Sequence, residues 1–325
     1  MERDHGAAAG LARAHLAHRL RPADARPGAH LPRPHLAAQP RFRPRRGRHA
    51  AGGQPTGESP SLHFETIALS GASYAFPARV DVPPFVLGPA DFEICAGELV
   101  FIVGANGSGK STLLKLLAGQ LPPSHGHVRL AGTPLARWGA RAFGLKVVYL
   151  PQQPPPAAGL QVRELLALGH YTWHGALGRF RVSDREKVAE ALALTGMEPF
   201  ADRLVDTLSG GERQRAFLAM LVAQDAECRL LDEPISALDI AHQVEVLSLV
   251  QRLAVEPGMG VVIVLHHVNM AARFCDEVIA LPAGRLIARG TPAEMMAPAA
   301  LEAIYGIAME VMPHPSHGTP VAFAR

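Results

Sequence analysis

Apolar residues fall into short, nearly continuous runs separated by amphipathic stretches. Residues 99–103, 147–150, 230–231 and 261–265 predict strands buried on both faces. Residues 92–95 and 128–130 are shorter strand candidates, and 64–74 alternates enough to predict an edge strand. Pro83-Pro84 and Gly88-Pro89 mark a loop, and Gly97 a turn. Residues 112–118 and 162–168 have helical spacing, the first followed by Gly119 where a C-cap belongs. Ser183-Asp184-Arg185-Glu186 reads as a capping box that opens an amphipathic helix through Val188, Leu192 and Leu194, closed by Gly196. Pro151 and Pro154-Pro155-Pro156 end one strand and begin a helical region, about 154–207, that interrupts the strands. Strands alternating with helices on both sides of it predict an α/β fold with a mainly parallel sheet.

A chain of 325 residues can form one large domain or two small ones. No apolar run, 261–265 included, approaches the ~20 residues a membrane-crossing helix needs. Cys95, Cys228 and Cys275 have no metal spacing and read as buried, reduced thiols. The net charge of +3 is unevenly spread. Residues 1–60 hold 11 Arg, no Lys and four acids, whereas the rest holds 21 basic and 25 acidic residues. The body is therefore no surface for a polyanion. In the first sixty residues, prolines at 22, 27, 32, 34, 40 and 44 forbid a long helix, and large apolar residues are few. That segment reads as a disordered basic extension, with order beginning near Leu62; a basic arm for anionic lipid or nucleic acid, or a targeting segment, is the other reading.

The candidate chemistry centres on the stretch from Gly104 to Thr112, which reads Gly104, Ala105, Asn106, Gly107, Ser108, Gly109, Lys110, Ser111, Thr112. It fits the P-loop pattern between a predicted strand and a predicted helix. Glycines let the backbone amides converge on an anion, and the helix N-terminus adds its positive end. Lys110 supplies a charge for the β- and γ-phosphates, and Ser111 a hydroxyl for Mg²⁺. These residues by themselves imply only that a nucleoside triphosphate binds.

Two further stretches gain meaning from the first. Ser209, Gly210, Gly211 and Glu212 form a capping box before a helix carrying Phe217, Met220 and Leu221; a plain cap or a second anion site would both look like this. Asp232 and Glu233 end the strand at 230–231. In a P-loop fold such an Asp can hold Mg²⁺, and the following Glu can orient or deprotonate an attacking water. Ser236-Ala237-Leu238-Asp239 starts the next helix, and His266-His267 follows the strand at 261–265. A metal reading of that histidine pair lacks a third ligand at useful spacing.

In order, the P-loop, Gln152-Gln153, LSGGE, Asp232-Glu233, SALD and His266 resemble the nucleotide-binding subunits of ABC transporters, over about residues 62–312. The stretches 149–153, 173–180, 239–244 and 269–273 look, more closely, like the ATPase of bacterial iron(III)-hydroxamate (ferrichrome) importers. The resemblance implies a P-loop ABC ATPase domain over 61–325, with an antiparallel β edge and the helical insertion facing an integral-membrane permease. It implies a homodimer closed head to tail around ATP, with each P-loop opposite the partner's Ser209, Gly210 and Gly211. Tyr74 would stack on adenine. Gln152, with Gln153 as the other candidate, would sense Mg²⁺ and the γ-phosphate. Asp232 would hold Mg²⁺, Glu233 would act on water, His266 would contact the γ-phosphate, and Asp239 would work across the dimer seam. A periplasmic or lipoprotein siderophore-binding protein would be an indirect partner, nucleic acid no partner, and the cytoplasmic face of the bacterial membrane the location.

Three residues depart from the family pattern: Arg229 in an otherwise apolar strand, Ile235 in place of a small hydroxyl residue, and His267 in place of Asp. Cobalamin, haem or another siderophore is the alternative cargo. A DNA-associated ATPase that shares LSGGE would need long coiled coils, and no heptads are sustained here. A P-loop kinase would leave LSGGE and the Asp232-Glu233 pair as coincidence.

Overall fold

The computed structural model describes residues 66–77, 85–169, 181–236, 238–254, 259–286, 288–316 and 318–325. The basic extension, the start of order near Leu62, the Pro83-Pro84 pair, the stretch 173–180 and Ala237 lie outside the described residues.

A six-stranded sheet forms the centre, in the order β10-β9-β3-β8-β7-β6. Its members are β3 (Leu99–Val103), β6 (Val147–Leu150), β7 (Cys228–Asp232), β8 (Gly260–Val264), β9 (Glu277–Ala280) and β10 (Ala288–Gly290). All pair in parallel except β10, which runs antiparallel to β9. Side chains that alternate along β3 enter different cores. Leu99, Phe101 and Val103 face one hydrophobic cluster, and Val100 and Ile102 the other. A strand covered on both faces has no polar side to show, which is why 99–103 and 261–265 read as unbroken apolar runs.

One core receives α3 (Val162–Gly169), α4 (Val182–Thr195), α5 (Gly210–Gln224) and α6 (Ile240–Ala254). The other receives α1 (Lys110–Leu117), through Leu113, Leu114, Leu116 and Leu117, α2 (Ala140–Gly144), through Phe143, and a four-stranded antiparallel sheet. That sheet has the order β2-β1-β4-β5, from β1 (Thr66–Ala75), β2 (Val86–Cys95), β4 (His125–Leu130) and β5 (Thr133–Pro134). The chain ends in a hairpin, β11 (Met309–Pro313) with β12 (Pro320–Ala324), packed on α7 (Val268–Phe274).

Several local expectations are corrected. β1 is an inner strand, not an edge: β2 pairs with one side and β4 with the other. Its alternation reports one solvated face, and the second neighbour comes from over fifty residues away. Gly88-Pro89 lies within β2 rather than in a loop. The β1–β2 register shifts there, and the Gly88 N–H bonds to Gly284 O, so proline interrupts the ladder where it is already broken. Helix α4 begins at Val182, one residue before Ser183; the Asp184 carboxylate accepts from the Arg181 N–H, and Gly196 closes the helix in the left-handed region. Of the three cysteines only Cys228 is buried; Cys95 and Cys275 are half-buried.

Candidate active site

Four parallel strands deliver their carboxyl ends to one place. β3 runs into the loop before α1, β6 into Gln152, β7 into Asp232-Glu233 and β8 into His266. Beyond the carboxyl ends of parallel strands is where an open α/β sheet leaves a crevice. Here the crevice is a cavity of about 560 Å³.

One wall is the glycine-rich loop, through Asn106, Gly107, Gly109, Lys110, Ser111 and Thr112. Gly104 makes the turn possible by close approach: a β-carbon there would stand 2.5 Å from the Leu281 carbonyl oxygen. Gly109 has φ +93°, a conformation side chains other than glycine rarely adopt. Gly104 and Ser108 do not line the cavity; they form the underside of the loop. The Ser108 carbonyl accepts from the Gly284 N–H, while its hydroxyl is buried without a hydrogen-bond partner. Lys110 is buried and donates through Nζ to the carbonyls of Gly104 (2.9 Å) and Ala105 (2.8 Å). Burial pulls its pKa down, while Glu233 and Asp232 act the other way.

Across from the loop, Ser111 Oγ donates to Asp232 Oδ1 at 3.0 Å, and the Tyr149 hydroxyl donates to Asp232 Oδ2 at 3.2 Å. Burial holds the Asp232 carboxyl above the ordinary carboxylate range, against the pull of those two donors. Glu233 is buried and sits at φ +50°, unusual for a residue with a side chain. Its N–H bonds to Val264 O at 3.1 Å, which ties the turn to β8. Gln152 Nε2 donates to Glu233 Oε2 at 2.7 Å, and His266 Nε2 contacts Glu233 Oε1. Gln152, Glu233 and His266 all line the cavity; Gln153 and His267 do not.

The aromatic expectation is corrected. Tyr74 is not in the cavity wall; it packs partly buried against the core beneath. Phe76, two residues on, and Phe85 line the cavity instead. The Phe76 ring stands edge-on to Tyr74, 5.0 Å between centroids, and 39% of the residue is exposed. The signal was an aromatic cluster rather than one position. Tyr149 was also missed as a site residue, because its hydroxyl reaches Asp232 from a neighbouring strand.

Ser209, Gly210 and Gly211 do not line this cavity. They start α5, where Ser209 Oγ accepts from the Glu212 N–H (3.3 Å) and the Glu212 carboxylate accepts from the Ser209 N–H (2.7 Å). Those bonds hold the Glu212 carboxyl below its usual value. Asp239 is exposed, and its Oδ1 accepts from the His242 N–H at 2.9 Å, capping α6. One chain therefore carries the glycine-rich loop and, outside the cavity that loop lines, a second capped helix N-terminus.

Of the three departures, Ile235 is buried in the core and His267 is exposed. Arg229 is buried in β7, where its guanidinium contacts Met259 Sδ.

A P-loop on a parallel sheet, with a strand-end carboxylate facing its serine, defines a nucleoside-triphosphatase. The family model described as ABC transporter matches residues 87–236. The ferric enterobactin transport ATP-binding protein of Escherichia coli (strain K12) is 40% identical over 229 residues, 70% of this chain and 84% of that protein. The iron(3+)-hydroxamate import ATP-binding protein of Bacillus subtilis (strain 168) is 38% identical over 231 residues, 71% of this chain and 86% of that protein. Among solved structures, the dimeric structure of a bacterial ABC transporter cassette, MJ0796, superposes with TM-score 0.62 at 26% identity, covering 70% of this chain and 98% of that one. The chain belongs to the family of ABC transporter ATP-binding subunits and is an ABC-type ATPase. Among the described residues no helix is long and apolar enough to cross a membrane.

Proposed function

We propose that this chain hydrolyses ATP to drive uptake of iron(III)-hydroxamate siderophores through a membrane permease. The observation that carries the hydrolytic part is the suspension of Glu233 between Gln152 and His266 beside the Lys110 loop. The loop amides and Lys110 bind the phosphates. Phe76 and Phe85 offer faces for the base. Glu233 takes a proton from water as the water oxygen bonds to the γ-phosphorus, and the bond to the β–γ bridging oxygen breaks to leave ADP and phosphate. His266 and Gln152 hold Glu233 in place and stand where the γ-phosphate would lie.

The donor set suits Mg²⁺: Ser111 Oγ and Asp232 Oδ1 are hard oxygens already side by side, with the Gln152 amide oxygen as a third candidate. Bound there, the ion would neutralise phosphate charge.

Ser209, Gly210 and Gly211 present an exposed helix N-terminus with no phosphate of their own chain to meet. Two copies closed head to tail would bring each to the other's ATP, with Asp239 at the seam. The helical segment, about 154–207 within a domain spanning 61–325, would transmit closure to the permease at the cytoplasmic face of the membrane. A siderophore-binding protein would act on the permease's far side. Residues 1–60 take no part in the chemistry.

The cargo rests on resemblance, because the cargo never touches this chain. The name of the Escherichia coli relative favours ferric siderophores as a class, and haem or cobalamin would use the same ATPase. Ferrichrome uptake by cells lacking this chain, restored by the intact chain and not by Lys110→Ala, tests the assignment. Uptake that persists without the chain would move the cargo to another siderophore, haem or cobalamin.

A further inference from the structure

His242, in the first turn of α6, touches both elements offered to a partner's nucleotide. Its Nδ1 lies 2.8 Å from Asp239 Oδ1, the same oxygen that accepts from its backbone N–H. With the proton on Nδ1, one residue satisfies that carboxylate oxygen twice, and these bonds hold Asp239 below its usual pKa. The other edge of the ring lies on α5. A β-carbon built on Gly211 would fall 3.4 Å from His242 Cδ2 and 3.5 Å from Cγ. One turn further along both helices, Arg215 and Glu245 pair at 3.6 Å.

Without the imidazole, the loop before α6 is tied chiefly to its own surroundings. Gln243 Nε2 donates to Leu238 O at 2.9 Å and Ser236 N–H bonds to Glu233 O at 3.2 Å, both local. Leu238 also reaches toward Gly211, at 3.7 Å from the same built position, but its side chain makes no hydrogen bond to Asp239. His242 is the polar side chain that gives the Asp239 carboxylate a direction relative to the α5 N-terminus.

We propose that His242 is a positioning residue. It fastens the Asp239 loop to the first turn of α5, so that Asp239, Ser209 and Gly211 meet a partner's nucleotide as one preformed half-site. This rests on the head-to-tail reading above. A half-site ordered in advance spares the ordering cost otherwise met at binding. The role touches no reacting atom, so it acts on ATP-dependent closure rather than on the hydrolytic step.

The test uses the full chain with Glu233→Gln, to stop turnover, and follows dimer formation by sedimentation against ATP concentration. His242→Ala in that background should raise the ATP needed for half-maximal dimer about tenfold, the worth of one hydrogen bond to a charged group. His242→Asn, which keeps a short donor near the Nδ1 position but not the ring edge that lies against Gly211, should recover part of the loss. In the turnover-competent chain, His242→Ala should raise KM for ATP and leave kcat within about twofold of the parent, at an unchanged Tm. If Glu233→Gln alone stays monomeric with ATP, the head-to-tail reading itself falls and takes this inference with it. If that dimer forms and His242→Ala closes at the same ATP concentration, or if Asn is as impaired as Ala, the positioning role is overturned and the dimer stands.

Discussion

Gln152 Nε2 donates to Glu233 Oε2 at 2.7 Å, joining two strand ends 81 residues apart in sequence. With His266 on the other carboxylate oxygen, Glu233 is held on both sides in a buried position with a left-handed backbone. A carboxylate so constrained is aimed rather than free. Glu233→Gln keeps the shape and one acceptor oxygen, turns the other oxygen into an N–H donor, and removes the base. We expect kcat to fall by about 10²–10⁴-fold, the usual worth of a positioned base, with ATP binding retained. Phosphate release at saturating ATP, alongside nucleotide binding by fluorescence, checks both parts.

Phe76 and Tyr74 separate the two aromatic assignments. Phe76 is exposed in the cavity wall, whereas Tyr74 packs on the core. Stacking of a base on an aromatic ring is worth about 1–3 kcal/mol, so Phe76→Ala should raise KM for ATP by roughly tenfold or more. Tyr74→Ala should lower Tm and leave KM nearly unchanged. Steady-state kinetics beside a thermal melt distinguishes them.

Burial pushes the thiol of Cys95 up to about 11, and those of Cys228 and Cys275 to about 12, from an ordinary 9.0. A thiol kept protonated in the fold but free to ionise in the unfolded chain stabilises the fold fully below the ordinary value. That contribution is lost as pH climbs from about 9 towards 11–12. Iodoacetamide at pH 8 should therefore label the native protein slowly and the urea-unfolded chain completely, and the urea midpoint should fall above pH 9. Rapid native labelling of Cys228 would contradict the burial described here.

Asn269 makes a paired contact with the last strand: its Nδ2 donates to Ala322 O at 3.1 Å, and its Oδ1 accepts from the Ala322 N–H at 2.8 Å. The small cluster of Val268, Met296, Leu301 and Ala322 packs beside it. Asn269→Ala leaves two backbone groups unmet and should cost about 1–3 kcal/mol. Hydrogen exchange should show the loss concentrated in Met309–Pro313 and Pro320–Ala324.

Deletion of residues 1–60 should leave ATP hydrolysis unchanged, because the described residues that line the cavity run from Phe76 to His266 and include Lys110 and Ser111 of the glycine-rich loop, Gln152, Glu233 and His266. Phosphate release by the shortened chain decides the point; lost activity would make the extension part of the machine.

Much of the site was legible because its determinants are local. A P-loop needs glycines at set spacings, here 104, 107 and 109, before Lys110 and Ser111, and a capping box needs Ser209 three residues before Glu212. Both are contained in stretches that fold the same way wherever they occur. Buried parallel strands are also local statements, since two covered faces leave no polar positions. What neighbours a strand is not local. The alternation in β1 shows one wet face but says nothing of the strand that arrives from beyond residue 120, so the edge assignment failed. Tyr74 and Phe76 share one strand direction, and only the packing of β1 against the core decides which ring sinks and which faces the cavity. The clasp of Gln152 and His266 on Glu233, the Tyr149 hydroxyl on Asp232, and the meeting of His242 with Gly211 each join separate elements. They exist only once β6, β7 and β8 lie side by side with α5 and α6 packed over them, because a hydrogen bond acts over about 3 Å and sequence separation gives no measure of that distance.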